Sequence, residues 1–212
     1  MAVAFDCDGL LVDTEFCWSR AQAAMFARHG LEYTAEVKAQ LIGTTMDWTV
    51  AQMAQWFGTP GTEAALKEEL ALTVAEVIAA DATPMAGAVE LVSALAEWLP
   101  LAVVSNSPRH LVHLALTRAG LVDSFQVWVT AEDVVNGKPA PDLYLTACER
   151  LGVEPGQVLA FEDSLVGVNS AKAAGVTVVG IPTVVQDGFK PHHLFDSLAQ
   201  DSLMSWARKH RV

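Results

Sequence analysis

Residues 1–15 read MAVAFDCDGLLVDTE. Ala2 to Phe5 is an uncharged apolar run, the pattern of a short strand buried on both faces. It leads directly into Asp6 and Asp8. Side chains alternate along a strand, so the two aspartates point to one side and Cys7 to the other. Two carboxylates on one side repel unless a cation lies between them or one keeps a proton. Gly9 follows at the place where the chain must turn. A like-charged pair at the end of a buried strand asks for a chemical reason.

Four further apolar runs follow downstream: LAVVS (101–105), QVWVT (126–130), VLAFE (158–162) and VTVVGI (176–181). Helix-length segments lie between most of them, at Arg109 to Ala119, Pro141 to Leu151 and Leu165 to Ala174. RAG, RLG and AAG close those segments, with glycine where a helix C-terminus favours it. Strand and helix in alternation predict an α/β fold, a Rossmann-like parallel sheet covered on both faces. From Glu15 to Asp81 no strand pattern occurs. Apolar residues recur there at helical spacing, as at Met46, Val50, Met53 and Phe57, and FGTPGTE (57–63) reads as a turn. The expected organisation is an α/β core domain of residues 1–14 and 82–212 with an all-helical domain, 15–81, inserted into it. The expected hinges are Thr14–Glu15 and DATP (81–84).

The chain has 212 residues, 52% of them hydrophobic, which supports a sizeable core and argues against disorder. Its formal net charge of −12, with no lysine–arginine cluster, disfavours nucleic acid and anionic membranes as partners. No apolar run approaches the ~18 residues of a spanning helix. Residues 2–6 already read as a strand, so a secretory leader is not expected. Cys7, Cys17 and Cys148 are odd in number and lack metal-type spacing, so they read as free thiols. A cytoplasmic protein, monomeric or weakly homodimeric, is the expectation.

The strand ends gather chemistry. Ser105-Asn106-Ser107 stands just before a helix, where hydroxyls and free amides make an anion site. Glu162-Asp163-Ser164 is a second acidic pair, and NGKPAPD (136–142) brings Lys138. Ligands of open α/β sheets bind at the carboxyl ends of the strands. Acids, hydroxyls and one lysine at one edge suggest metal-assisted phosphoryl chemistry. Magnesium, which seeks oxygen ligands and pairs with phosphate, suits the aspartate pair.

FDCDGLLVDTE, VVSNSPRH, GKPAPDLY and FEDSLVGVNSAKAAG resemble, in order, the four motifs of the haloacid dehalogenase superfamily. The nearest subgroup is the β-phosphoglucomutase-like phosphatases, and the helical insert resembles their cap. Any one motif alone is weak: Asp6/Asp8 could be a strand-end turn, Ser105 or Glu162/Asp163 a helix cap, Lys138 a surface lysine. Four in order, each at a strand end, outweigh those readings. The resemblance implies that Asp6 is a nucleophile forming an aspartyl-phosphate and Asp8 the general acid, then base. It implies that Asp6, Asp163 and the Asp8 backbone carbonyl bind Mg2+, with Glu162 in support. Ser105 and the Asn106 amide would hold phosphoryl oxygens, and Lys138 would neutralise charge on the nucleophile and phosphoryl group.

Departures from the wider pattern narrow the activity. Asp8 argues against dehalogenase chemistry, and no lysine suits a Schiff base, since Lys38 and Lys67 read as solvated helix faces. In the mutases a cap histidine restrains the general acid, and a basic residue in the cap loop grips a second phosphate. The matching positions here are Trp18 and Met46, the latter in LIGTTMDWT (41–49). Trp18, Thr45, Met46 and Trp48 are the candidate specificity residues of the cap. Trp56 and Trp98 read as core or interface, and His110, His113 and the pair His192-His193 as surface residues. The reading is an enzyme that hydrolyses a small phosphorylated metabolite, a sugar or polyol phosphate by analogy, with Mg2+ as cofactor. A β-phosphoglucomutase-type mutase is the alternative, and a catalytically idle binding protein of the same fold a third.

Overall fold

A computed structural model of the chain describes residues 1–42, 44–183 and 187–209. Gly43, part of the loop compared above with the specificity loop, lies outside them. The core of the fold is one sheet of six strands: β1 (Ala2–Phe5), β2 (Leu101–Val104), β3 (Val127–Val129), β4 (Val158–Glu162), β5 (Thr177–Gly180) and β6 (His193–Leu194). Their order is β3-β2-β1-β4-β5-β6, and every neighbouring pair is parallel. Phe5 on β1 lies opposite Val103 on one side and Phe161 on the other.

The five strands expected from the sequence are present. The sixth was not foreseen, because two residues carry no readable period. His192 beside it is exposed, as expected of a surface residue, and also bonds the sheet edge. The His192 backbone N–H donates to the Val178 carbonyl at 3.0 Å, and its ring Nδ1 accepts from the Val178 N–H at 3.0 Å. Those bonds dock the segment on the sheet edge.

Alternation along the strands divides the core in two. Val3, Phe5, Leu101, Val103, Leu159 and Phe161 face one layer. Ala2, Ala4, Ala102 and Ala160 face the other. The small residues let helices α7 (Asp142–Leu151) and α8 (Leu165–Ala173) pack through Tyr144, Ala147 and Ala171 on that side. On the large-residue side Phe5 and Phe161 stack with centroids 4.9 Å apart, over α5 (Ala88–Ala96) and α6 (Arg109–Ala119). As the sequence predicted, α6 and α7 end on left-handed Gly120 and Gly152. A final helix, α9 (Asp201–Lys209), closes the described chain.

The described residues of 15–81 form four helices: α1 (Glu15–Arg28), α2 (Ala35–Leu41), α3 (Met46–Trp56) and α4 (Glu63–Asp81). Helices α1 and α3 both pack on α4. The threonines before α2 and α3 cap them, each hydroxyl accepting a backbone N–H of the first turn. The chain leaves and re-enters the core side by side. Asp13 N–H donates to the Thr83 carbonyl, and Met85 N–H to the Leu11 carbonyl, both at 2.9 Å. No described helix is long and apolar enough to cross a membrane.

The chain runs outward from β1 to β3 in one direction and from β4 to β6 in the other, so β1 sits where the order reverses. The crevice of such a sheet opens at the carboxyl ends of those central strands. The Phe5–Phe161 stack therefore lies directly beneath it. Phe161→Ala should cost about 3–5 kcal/mol of unfolding free energy in a urea titration. A loss below about 1 kcal/mol would show that the stack is not part of the packed core.

Candidate active site

Asp6 continues β1 by one residue, and its N–H donates to the Phe161 carbonyl at 3.0 Å. Its carboxylate meets Lys138, whose ammonium donates to Asp6 Oδ1 (2.5 Å), Glu162 Oε1 (2.6 Å) and the Val104 carbonyl (2.8 Å). All three charged groups are buried. The loop that delivers Lys138 is clamped by Asn106. Asn106 Oδ1 accepts the Lys138 N–H at 2.7 Å, and Nδ2 donates to the Lys138 carbonyl at 3.1 Å. The side-chain amide of Asn106 is thus engaged with the loop. Gly137 permits this contact: a Cβ there would lie 2.5 Å from Asn106 Oδ1.

Asp8 is surrounded by donors. Oδ1 accepts from Thr14 Oγ1 (2.6 Å) and Trp18 Nε1 (3.4 Å), and Oδ2 from Ser105 Oγ (2.9 Å) and Ser107 Oγ (2.8 Å). Ser105, expected on a phosphoryl oxygen, holds Asp8 here. Glu162 is fully buried and accepts a further bond from Tyr144 Oη at 2.5 Å. Gly167 leaves it room, since a Cβ at 167 would lie 1.8 Å from Glu162 Oε2. Asp163 Oδ2 accepts from Thr183 Oγ1 at 2.9 Å.

Three buried carboxylates, Asp6, Glu162 and Asp163, face a single ammonium, so full ionisation of all three would leave two negative charges uncompensated. Burial, joined by the charges of Glu162, Asp163 and Asp8, pushes Asp6 well above the usual carboxylate range despite Lys138. Burial and then Glu162 push Asp163 up to about 7. For Lys138, burial opposes the charge, but Asp6 and Glu162 outweigh it and hold the ammonium above its ordinary value. One oxygen from each of the three acids lies within 4.8 Å of the others. An all-oxygen donor set of three acids against one ammonium fits a hard divalent cation such as Mg2+.

A cavity opens above this floor. Asp6, Asp8, Ser105, Asn106, Lys138 and Asp163 line it from the core, and Trp18 and Met46 from the helical insert. Thr45 and Trp48 do not line it. Thr45 caps α3, and Trp48 is 42% exposed. Thr45 nonetheless approaches the Lys138 loop, where a Cβ at Gly137 would lie 3.1 Å from its Cγ2. Sequence reasoning gives no partner to Thr14, Ser107, Tyr144 or Thr183, although it reads Ser107 as part of an anion site. The first three sit inside motifs already quoted, yet nothing in their spacing marks them as partners of the acids. Trp98 is 45% exposed, and Trp56 packs on Phe26. Cys7, Cys17 and Cys148 are free and buried.

Residues 1–175 match the haloacid dehalogenase-like hydrolases. The chain belongs to that family. Among its relatives, a validoxylamine A 7'-phosphate phosphatase of Streptomyces hygroscopicus subsp. limoneus is 37% identical over 184 residues, 84% of each chain. The fructose-1-phosphate phosphatase of Escherichia coli K12 is 30% identical, over 84% of this chain and 94% of its own. Among solved structures, CbbY of Rhodobacter sphaeroides in complex with phosphate superposes with a TM-score of 0.85 at 25% identity, covering 94% of this chain and 95% of that one.

Two measurements on this hydrolase follow from the acid cluster. A cation bound here must displace the protons that Asp6 and Asp163 hold. Apparent Mg2+ affinity by titration calorimetry should rise between about pH 6 and pH 8; a flat profile would contradict the cluster as the binding site. Those raised folded-state values also mean that the folded protein keeps protons the unfolded chain has released. Their stabilising contribution is full below about pH 4 and fades as pH rises through about 7, so metal-free Tm should fall across that window and Mg2+ should restore it. Separately, Tyr144→Phe removes a donor from a buried carboxylate and should lower unfolding free energy by about 1.5–3 kcal/mol in urea. No change would show that the 2.5 Å contact holds nothing in place.

Proposed function

We propose that this phosphomonoester hydrolase is a Mg2+-dependent phosphatase of small phosphorylated sugars or polyols that works through an aspartyl-phosphate on Asp6. One observation carries the reading. Asp6 stands at the end of the central strand with Lys138 at 2.5 Å and a second acid, Asp8, two residues on. The named phosphatases among the relatives support the substrate class. In this reading residues 15–81 act as a cap domain over a core domain of 1–14 and 82–212.

The Asp6 carboxylate attacks phosphorus as the ester P–O bond breaks, and Asp8 gives a proton to the departing alcohol oxygen. Water then attacks the acyl phosphate with Asp8 taking its proton, which releases inorganic phosphate and restores Asp6. Lys138 keeps Asp6 oriented and offsets charge that grows on the phosphoryl oxygens. Asn106 holds the Lys138 loop in place for this task. Mg2+, held by Asp6, Asp163 and the Asp8 carbonyl with Glu162 in support, would add charge neutralisation at the phosphoryl group. Thr14 and Trp18 stand at the entry to the cap and hold Asp8 Oδ1, so the proton shuttle is tied to the position of the cap.

A phosphomutase must grip two phosphates. Met46 is buried and apolar where the mutase pattern has a basic residue, and Lys138 is the sole lysine or arginine among the described residues lining the cavity. Both facts favour hydrolysis.

The purified protein should hydrolyse p-nitrophenyl phosphate with Mg2+ and stop on addition of EDTA. Asp6→Asn should abolish turnover with unchanged circular dichroism. Turnover that survives EDTA, or persists in the Asp6 variant, would sink the mechanism. With β-glucose 1-phosphate and a bisphosphate primer, no glucose 6-phosphate should form; efficient conversion would favour the mutase.

A further inference from the structure

Helix α1 carries two faces of opposite character. Cys17, Ala21, Met25 and Phe26 form its apolar face in the core. Glu15, Trp18, Ser19 and Gln22 follow the i, i+3, i+4, i+7 stripe of a second face, and all four line the cavity above Asp6 and Asp8. A helix inside a domain ordinarily turns apolar residues inward. Here a polar stripe is turned into a partly enclosed space, where each polar group left unpaired costs free energy.

Gln22 is the most telling of these residues. It is only 6% exposed, and Tyr33 Oη donates to its Oε1 at 2.5 Å. Its remaining amide end has no protein partner among the described residues. No buried side-chain nitrogen or oxygen among those residues goes without a hydrogen bond. That end therefore opens on the cavity, which Gln22 and Tyr33 both line. Thr44 and Thr49 also line it. Thr44 Oγ1 donates to the Leu41 carbonyl at 2.8 Å, so in the 2.9 Å contact between the two hydroxyls Thr49 is the donor. Thr49 keeps acceptor capacity for a ligand.

Charge narrows the ligand further. Lys138 is committed to Asp6, Glu162 and the Val104 carbonyl. No second lysine or arginine lines the cavity among the described residues, and the carboxylate of Glu15 on its wall is paired with Lys38 at 3.0 Å. A second phosphate or carboxylate on the substrate would meet no second lysine or arginine among the described lining residues.

We propose that the Gln22–Tyr33 pair, together with the Thr44–Thr49 hydroxyls, is the specificity element of this site. It reads an uncharged, polyhydroxylated leaving group that bears one phosphate. A hydroxyl is donor and acceptor at once, and the amide end and the threonine oxygen supply one of each. This assignment rests on the phosphatase reading above and extends it to named residues and to the charge of the leaving group.

Kinetics of the full chain with Mg2+ test it. The substrates are sorbitol 6-phosphate, glucose 6-phosphate and fructose 1-phosphate, with fructose 1,6-bisphosphate and p-nitrophenyl phosphate for comparison. The wild type should prefer at least one neutral monophosphate over the bisphosphate by roughly tenfold in kcat/KM. Gln22→Met and Tyr33→Phe should each lower kcat/KM for that substrate, relative to p-nitrophenyl phosphate, by about tenfold and mainly through KM. A site built to bond hydroxyls loses most on substrates that have them, whereas general damage to the fold moves both substrates together.

An unchanged ratio in both variants overturns the proposal, as does a preference for the bisphosphate. So does turnover of p-nitrophenyl phosphate alone, which would leave the phosphatase reading standing. Absence of all turnover, p-nitrophenyl phosphate included, would remove the phosphatase reading and this assignment with it.

Discussion

The ammonium of Lys138 ties three strand ends together. It bonds a carboxylate just beyond β1, a carboxylate on β4 and a backbone carbonyl of β2, and all three charged groups are buried. Desolvating such charges is expensive, and their mutual attraction repays it only with good geometry and full hydrogen bonding. The surroundings supply both. Tyr144 completes Glu162 from below, Asn106 fixes the backbone of the lysine, and glycines at 137 and 167 leave space for the contacts. An apolar trio would hold the same strands together with less difficulty. The arrangement makes sense as a preset electrostatic field, with Asp6 aimed and the acids still outnumbering the ammonium.

That field depends on the division of side-chain size across the sheet. Alanines on β1, β2 and β4 bring α7 close on one face, and Tyr144 uses the closeness to reach Glu162. Phenylalanines on the other face stack and hold β1 against β4. Asp6 and Glu162 follow these layers in sequence, so the packing of the core and the spacing of the acids are one geometric problem. A shift of one residue in the register of either strand would turn its acid to the opposite face.

Much of this could be read from the chain alone. The parallel strands announced themselves as apolar runs, and four motifs placed Asp6, Asp8, Ser105, Lys138 and Asp163 at strand ends. The structure does bring those five side chains around one cavity. What escaped the sequence has physical reasons. β6 is too short to show a period. Thr14, Ser107 and Thr183 serve through hydrogen bonds whose partners are set by folding, not by spacing. Tyr144 lies in a quoted motif, but nothing in the sequence pairs its hydroxyl with Glu162. Trp48 and Thr45 were placed at the site from their position in a loop, but α3 begins there, and its first turn carries the tryptophan outward while the threonine caps it. Gln22 had no motif at all; only the polar stripe on α1 points to it, and that stripe means something only once the cavity is seen.

The two segments that join the helical insert to the core run alongside each other, bonded at Asp13–Thr83 and Leu11–Met85. To the sheet, everything from Glu15 to Asp81 is therefore one long loop with its ends already closed. The entropic cost of such a loop grows only slowly with its length. Changes in the insert can then accumulate without disturbing strand register or the acids beneath it. The groups that break the phosphate bond and the groups that read the alcohol can diverge at different rates within a single chain.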